Sequence, residues 1–563
     1  MSAAKKPADA STQEELVFLP LGGAGEIGMN LNLYGVGPDD NRQWIMVDLG
    51  VTFGDESTPG IDLIMADPQF ILDRTDQLLG LILTHGHEDH IGAVPYLWPE
   101  LDCPIYATPF TASLVQRKFE EVGIFDAPLN IIPLGGQFSL GPFDLELISL
   151  THSIPEPNAV AIRTGAGTVL HSGDWKIDDE PLIGQLTDEE ALVGLGDEGV
   201  LAIICDSTNA LTDGISGSEG DVRRNLEDLV STLEGRVVIT AFASNVARVA
   251  TAAHVAQATD RHLVLVGRSM HRIVAAAREN GYLDDFPTIV DERDAGYLPP
   301  EKVLYLCTGS QGEPRAALSR IASGAHPHIS LEKGDAVIFS SRMIPGNEKS
   351  IFALQNDLAA LGVTIHTEKG NDIHVSGHPC RDELTRMYQW VRPQISIPVH
   401  GEFRHLLAHG ELAKDLQVPH VFSAPNGTMV RLGPGDPKII DHVPAGRLHL
   451  DGEVLMPADD EVMKERKRIG FSGMISVVLV TDGKGHFAAE PAIEIMGVPF
   501  DPDEPLEAEL AEVIDQVFQR DRFQKFHKGQ SMEELVRRAV RQKAREITGK
   551  KPITVVRIVE IEK

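Results

Sequence analysis

The chain has 563 residues, 42% of them hydrophobic and 24% charged. This globular composition excludes collagen-like and broadly disordered proteins, and the length implies three or four domains rather than one core. A formal net charge of −33 argues against loose binding to polyanions, since phosphate contacts ordinarily rest on Lys and Arg.

In chain order, the opening MSAAKKPADASTQEE lacks the apolar stretch of a secretory signal, and no apolar run reaches the roughly 20 residues that cross a bilayer. A cytoplasmic location without membrane contact is expected, with residues 1–11 as a flexible tail. Cys103, Cys205, Cys307 and Cys380 show no CxxC spacing and read as reduced thiols rather than a disulfide framework. Short apolar runs bounded by Gly, Pro and Asp follow: LVFLPL (16–21), QWIMVDLG (43–50), LLGLILTH (78–85), FDLELISLTH (143–152) and TVLHSGD (168–174). They predict a strand-rich sandwich with helices outside. GAGEIG (23–28) matches a dinucleotide-binding GxGxxG, yet MNLNLYGVG behind it alternates like a strand where that motif needs a helix. A glycine turn between the first two strands is expected instead.

LTHGHEDHIG (83–92) is the densest chemistry in the chain. The strand is predicted to end at Thr84, leaving His85, His87, Asp89 and His90 in a tight loop before a helix over IGAVPYLW. Imidazole nitrogen and carboxylate oxygen suit zinc-like ions. His85 and His87 should face one way, Asp89 and His90 another, so two metals fit better than one. His152 (LTHSIP) and Asp174 (HSGDWK) close later apolar runs and are the next candidate ligands.

From about residue 219 strand-like and helix-like segments alternate: EGDVRRNLEDLVSTLEG, RVVITAF, SNVARVATAAHVAQA, HLVLVG, VLYLCTG, DAVIFSS and NEKSIFALQNDLAALG. Alternation of this kind predicts a doubly wound parallel sheet. Beyond MKERKRIGFSG (463–473), ISVVLVT and HFAAEPAIEIM should form a hairpin around DGKG. Two helices follow, the second opened by a capping box at Ser531 and Glu534, and a last strand ITVVRIVEI closes the chain.

HGHEDH with a strand-end His and Asp downstream resembles the metallo-β-lactamase superfamily, which implies an αββα sandwich holding two metals. By that resemblance His85, His87 and His152 hold one ion, and Asp89, His90 and a late histidine the other; Asp174 bridges them and Asp48 orients ligands from behind. His400 in PVHGEFRH is the late histidine, with His405 the less favoured alternative. The α/β segment lying before it resembles an inserted β-CASP domain. Asp206 in CDSTNA, His378 in HVSGH (374–378), FASN (242–245), HSIPEP (152–157) and TGSQGEP (308–314) bring the likeness close to the bacterial ribonuclease J family over essentially the whole chain; Trp175 stands where Phe is common. The implied divisions are 12–213 and 366–456 for the metallo-β-lactamase domain, 214–365 for the β-CASP domain, and 457–563 for a linker and small α/β C-terminal domain.

The resemblance implies a ribonuclease with two Zn²⁺ per subunit, Mn²⁺ or Mg²⁺ substituting in vitro. Asp206, His378 and Asp89 are the candidate catalytic residues, with the direction of proton transfer between Asp206 and His378 left open. His374, Val375, Ser376, Gly377 and His378 would hold the scissile phosphate, while Ser244 and Asn245, at a helix start, would receive a 5′-monophosphate. Single-stranded RNA is the expected partner, digested 5′ to 3′ with some internal cleavage, by a homodimer or homotetramer that works with RNA-degradation machinery. Basic clusters at Arg268 and Arg272, KERKR and RRAVRQKAR (537–545) would offset the acidic bulk. A small-molecule metallo-hydrolase and a non-catalytic RNA-binding scaffold are the competing readings. The inserted domain opposes the first, and the full ligand set opposes the second.

Overall fold

The computed structural model describes residues 14–344, 346–482, 486–503, 505–523 and 531–561. The expected tail over 1–11 and most of the DGKG turn lie outside them. The chain forms two compact units, one of Met1–Thr52 with Leu63–Leu448 and one of Phe53–Asp62 with His449–Lys563.

The first unit is built on two sheets. One has eight strands, in the order Lys438–His442, Thr428–Gly433, Leu16–Gly22, Leu31–Val36, Gln43–Val47, Leu78–Ile82, Ile105–Ala107 and Leu129–Ile131. The other has seven: Gln137–Leu140, Phe143–Ser149, Asn158–Thr164, Gly167–His171, Ala202–Asp206, Ile395–Val399 and His420–Val421. Period-two patterning aims one side chain in two at the partner sheet. Phe143, Leu145 and Leu147 point inward beside Val160, Ile162 and Ile204, and meet Phe18, Tyr34, Ile45 and Val47 of the first sheet. The opposite face of the second sheet carries Ile148, Leu170 and Ile203, covered by Leu192, Leu195, Leu384 and Met387 from the helices Glu189–Glu198 and Arg381–Val391. Sequence reading foresaw outer helices without locating these two.

Between Asp206 and Ile395 runs a further, five-stranded sheet ordered His262–Val266, Val303–Cys307, Val237–Thr240, Ala336–Phe339 and Thr364–His366, all neighbours parallel. Val237, Ile239, Leu263 and Leu265 face the helices Glu219–Ser231, Val246–Ala258 and Arg268–Glu279, whereas Val238, Val264 and Tyr305 face Ala317–Ala322 and Glu348–Ala360. Burial on both faces is why these strands read as unbroken apolar runs. The excursion starts and ends on adjacent parallel strands, whose register pairs Cys205 with Pro398 and Asp206 with Val399. That register sets His400 beside Asp206.

Two local expectations need correction. The strand before the histidine motif ends at Ile82 rather than Thr84, because the Thr84 amide donates to the Asp48 side chain (2.8 Å) instead of a neighbouring strand. Asp89 and His90 do not lie in a loop; they form a helical turn, Glu88–Ile91, in which the amides of His90 and Ile91 bond the His87 carbonyl. The turn packs so tightly on Gly50 that a Cβ there would collide with the Asp89 carbonyl.

In the second unit Met474–Asp482 pairs antiparallel with Ala492–Met496 and parallel with Ile553–Ile561. Ile475, Val477, Leu479 and Val556 form a core with Leu510 and Ile514 of Leu506–Phe523 and Val536 and Val540 of Met532–Thr548. Only half of the expected capping box forms. Ser531 accepts from the Glu534 amide, but the Glu534 carboxylate turns to Arg537 and Arg538.

Candidate metal centre

All seven side chains that the motifs single out as ligands come together in the first unit. Ligand atoms of His85, His87, His152 and Asp174 lie within 4.8 Å of one another, as do those of Asp89, His90, Asp174 and His400. Asp174 is common to both sets. A third, overlapping set contains Asp174, Asp206, His378 and His400. His405 is in none of them: it sits in the first turn of Phe403–Asp415, where its Nδ1 accepts from the Glu402 amide.

Oxygen atoms behind the cluster assign most of the histidine tautomers. Asp48 accepts from His90 Nδ1 (2.6 Å). The Thr84 hydroxyl donates to Asp48 (2.9 Å), so it accepts from His85 Nδ1 (3.0 Å). His152 Nδ1 donates to the Gly377 carbonyl (2.5 Å). The Thr208 hydroxyl donates to Asp206 (2.7 Å) and receives from His400 Nδ1 (2.9 Å). Four rings therefore turn Nε2 inward: His90 Nε2 is 3.1 Å from Asp174, and His400 Nε2 is 3.0 Å from Asp89. His87 differs, facing His85 and His152 through Nδ1 at 3.1 and 3.0 Å. Asp48 and His400 both occupy left-handed backbone, φ 64° and 51°, strain that the surrounding packing holds in place.

Thr84 and Thr208 were missed from sequence, although each stands inside a quoted motif. Their signal is a hydroxyl one residue before, or two after, a strand-end acid or histidine. Asn30, without that signal, was missed as well; its side-chain amide donates to the Asp89 carbonyl (3.0 Å).

Burial and charge act in opposite senses across the cluster. Burial pushes His85 and His152 well below the usual imidazole range and takes His87 to about 4. Burial would do the same to His90 and His400, but Asp174 and the other carboxylates beside them outweigh it and raise both. Burial raises and the nearby imidazoles lower Asp89 and Asp174, with the imidazoles prevailing. Asp174 Oδ1 is buried without a hydrogen-bond partner, an acceptor aimed into the centre of the group.

His378 Nδ1 lies 2.8 Å from Asp206 Oδ2, and the ring is 22% exposed where Asp206 is fully buried. His378 is thus the member of the pair that a substrate can reach. Burial depresses its basicity, but Asp206 and Asp174 more than restore it. The rest of the 374–378 loop divides its contacts. Ser376 accepts from Asn209 (2.8 Å). Val375 packs on the inserted domain's core. Gly377 allows the loop to press on His152, whose ring would stand 2.6 Å from an added Cβ. His374 Nδ1 is buried and unpartnered.

Several of the polar side chains in the strand-end loops of the inserted domain are engaged by backbone groups. Asn245 caps Val246–Ala258, its side chain accepting from the Arg248 amide. Gln311 of TGSQGEP donates to the Arg342 carbonyl and accepts from the Ile344 amide, both at 2.9 Å. Ser310 Oγ is buried without a partner.

Family models match the chain in four stretches. They are the metallo-beta-lactamase superfamily over residues 36–236, the ribonuclease J beta-CASP domain over 234–358, a Zn-dependent metallo-hydrolase RNA specificity domain over 362–422 and the ribonuclease J C-terminal domain over 461–561. A ribonuclease J of Sinorhizobium meliloti is 45% identical over 565 residues, covering 100% of both chains. One of Mycolicibacterium smegmatis is 40% identical over 508 residues, covering 89% of this chain and 90% of the relative. Among solved structures, a protein of unknown function from Enterococcus faecalis V583 shares the fold, with a TM-score of 0.51 at 14% identity over 74% of this chain and 100% of its own. With its metallo-β-lactamase, β-CASP and C-terminal domains matched and a relative aligned from end to end, the chain belongs to the ribonuclease J family.

Proposed function

We propose that this protein is a zinc-dependent ribonuclease that hydrolyses RNA phosphodiester bonds, working 5′ to 3′ from monophosphorylated ends and also cutting internally. The observation that carries the reading is the inward convergence of His85, His87, Asp89, His90, His152 and His400 on Asp174, whose Oδ1 is buried without a partner. A buried carboxylate ringed by imidazole lone pairs fits divalent cations, and the nitrogen and oxygen donor set favours zinc. His85, His87 and His152 would hold one ion, Asp89, His90 and His400 the other, with Asp174 between them. Such a pair supplies a nucleophile at neutral pH and neutralises charge gathering on the phosphoryl group.

The side chains decide the remaining steps. Asp206 has both oxygens committed, Oδ1 to the Thr208 amide and hydroxyl and Oδ2 to His378, so it is the acceptor of the pair. It holds the His378 ring through Nδ1, and Nε2 makes no hydrogen bond among the described residues. His378 is therefore assigned the proton for the leaving oxygen. Ser376, carried on the same loop, lies beside the scissile phosphate. Ser244, with the first amides of Val246–Ala258, would receive a 5′-monophosphate, aided by the unpartnered hydroxyl of Ser310.

The reading is tested by digesting one single-stranded RNA bearing either a 5′-monophosphate or a 5′-triphosphate, with zinc content measured on the same preparation. Faster degradation of the monophosphate by a protein holding two zinc ions is expected. Equal rates at both ends would remove the directional claim, and no cleavage by zinc-loaded protein would remove the whole.

A further inference from the structure

RNA binding to so acidic a chain needs positive charge near the centre, and several members of the basic clusters picked out from sequence are committed elsewhere. Arg272 pairs with Glu121, Lys464 with Glu461, Arg466 with Asp451, and Arg537 and Arg538 with Glu534. One guanidinium at the edge of the centre is not neutralised in this way. Arg342 follows the strand Ala336–Phe339 and is exposed. Its partner is an amide: Nη1 donates to Asn209 Oδ1 at 2.9 Å, and no carboxylate among the described residues pairs with it.

Asn209 is buried, and its Nδ2 donates to Ser376 Oγ (2.8 Å) and to the His378 carbonyl (2.9 Å). This one side chain therefore fixes Arg342 against the loop that carries His378. The charge is felt there too. After burial and Arg248, it is Arg342 that depresses His374, and it also works against the burial that raises the Cys380 thiol. A guanidinium has five N–H donors, and the Asn209 contact uses only one of its nitrogens. A carboxylate in place of Asn209 would cancel the charge and compete with a phosphate; a neutral amide orients the group and leaves the charge intact.

We propose that Arg342 is a substrate-contacting residue that binds the non-bridging oxygens of an RNA phosphate next to the scissile one, on the inserted domain's side of the cleft. The proposal rests on the ribonuclease reading of the metal centre. The full-length wild type, Arg342→Gln and Arg342→Lys are compared on 5′-monophosphorylated single-stranded RNA over a series of salt concentrations, and on bis(p-nitrophenyl) phosphate, a diester with no neighbouring phosphate. For Arg342→Gln the ratio of kcat/KM on RNA to that on the small diester should fall about tenfold, mostly through KM. The slope of log kcat/KM against log salt should become shallower by about 0.7, as loss of one single-strand phosphate contact requires. Arg342→Lys should recover part of both. An unchanged salt slope, or an equal loss on both substrates that marks Arg342 as a mere strut for the His378 loop, overturns the proposal while leaving the ribonuclease reading standing. A wild type that hydrolyses the small diester but not RNA removes both.

Discussion

The metal centre and the strand-end loops of the inserted sheet are both rich in polar side chains, yet they use them in opposite ways. Around Asp174, backing oxygens occupy the outer nitrogens of His85, His90, His152 and His400 and turn the inner ones toward the centre. In FASN and TGSQGEP the side chain of Asn245 bonds the backbone of its own helix and that of Gln311 the backbone of the 342–344 segment. Polar density alone does not mark a ligand site. What marks it is the convergence of imidazole nitrogens and carboxylate oxygens from distant segments on one buried point.

Asp174→Asn should break the comparison most severely. It removes the shared carboxylate, and we expect RNA cleavage to fall by at least about a thousandfold with zinc content, read by mass spectrometry, dropping below two ions per chain. A variant that keeps both zinc and activity would make the centre no different in kind from the loops.

The inserted domain has its own buried charge, and there a carboxylate of the chain itself neutralises it. Arg248 and Glu219 are both buried and pair at 2.9 Å, and Arg248 also reaches the carbonyls of Ser340 and Ile373. Glu219→Gln or Arg248→Met leaves a charge in the core without its partner, at a cost of about 3–5 kcal/mol, measurable from the urea midpoint. Added zinc should rescue neither. Unfolding curves that match the wild type would mean the pair is not buried as described.

His409 sharpens the contrast among histidines. Unlike the cluster rings, both of its nitrogens have hydroxyl partners, Ser207 at 2.8 Å and Tyr388 at 2.9 Å. Burial takes it down to about 4. The sign follows from linkage: the unfolded chain takes up the proton first as pH falls below about 6.5, so stability drops until the folded imidazole titrates near 4, where the loss levels off. The His409 share of the loss between pH 7 and pH 5 is about 2 kcal/mol. His409→Gln, followed by denaturation across that range, should flatten the profile by this amount. An unaltered slope would show that the ring accepts a proton in the folded state after all.

Legibility from sequence followed the range of the forces involved. Strands buried on one or both faces, such as Phe143–Ser149 and Val237–Thr240, announce themselves because period and apolarity are local. His85, His87, Asp89 and His90 were legible as chemistry because four donors within six residues have no simple structural use. Their backbone was not: whether 88–91 coils depends on Gly50, far back in the chain, accepting close contact. Thr84, Thr208, Asn209 and Arg342 escaped for the same reason, since the roles of Thr208 and Arg342 exist only once residues up to 192 positions apart are brought together. The basic runs misled in the other direction, because their carboxylate partners are supplied partly by distant segments, as Glu121 is for Arg272.

The smallest effect bears most directly on the loops. In Asn245→Ala the Arg248 amide loses its cap, which should cost about 1 kcal/mol of stability. If the Asn245 oxygen is spent as the cap requires, the loss appears in thermal denaturation, and discrimination between 5′-monophosphate and 5′-triphosphate RNA weakens only as far as the helix end frays. Ser244→Ala, which removes a hydroxyl that the helix does not use, should instead lower the preference for the monophosphate with little change in stability. Were Asn245→Ala to abolish that preference at undiminished stability, the amide would be serving the RNA end rather than the helix, and the loops would have to be counted with the metal centre as groups held open for a ligand.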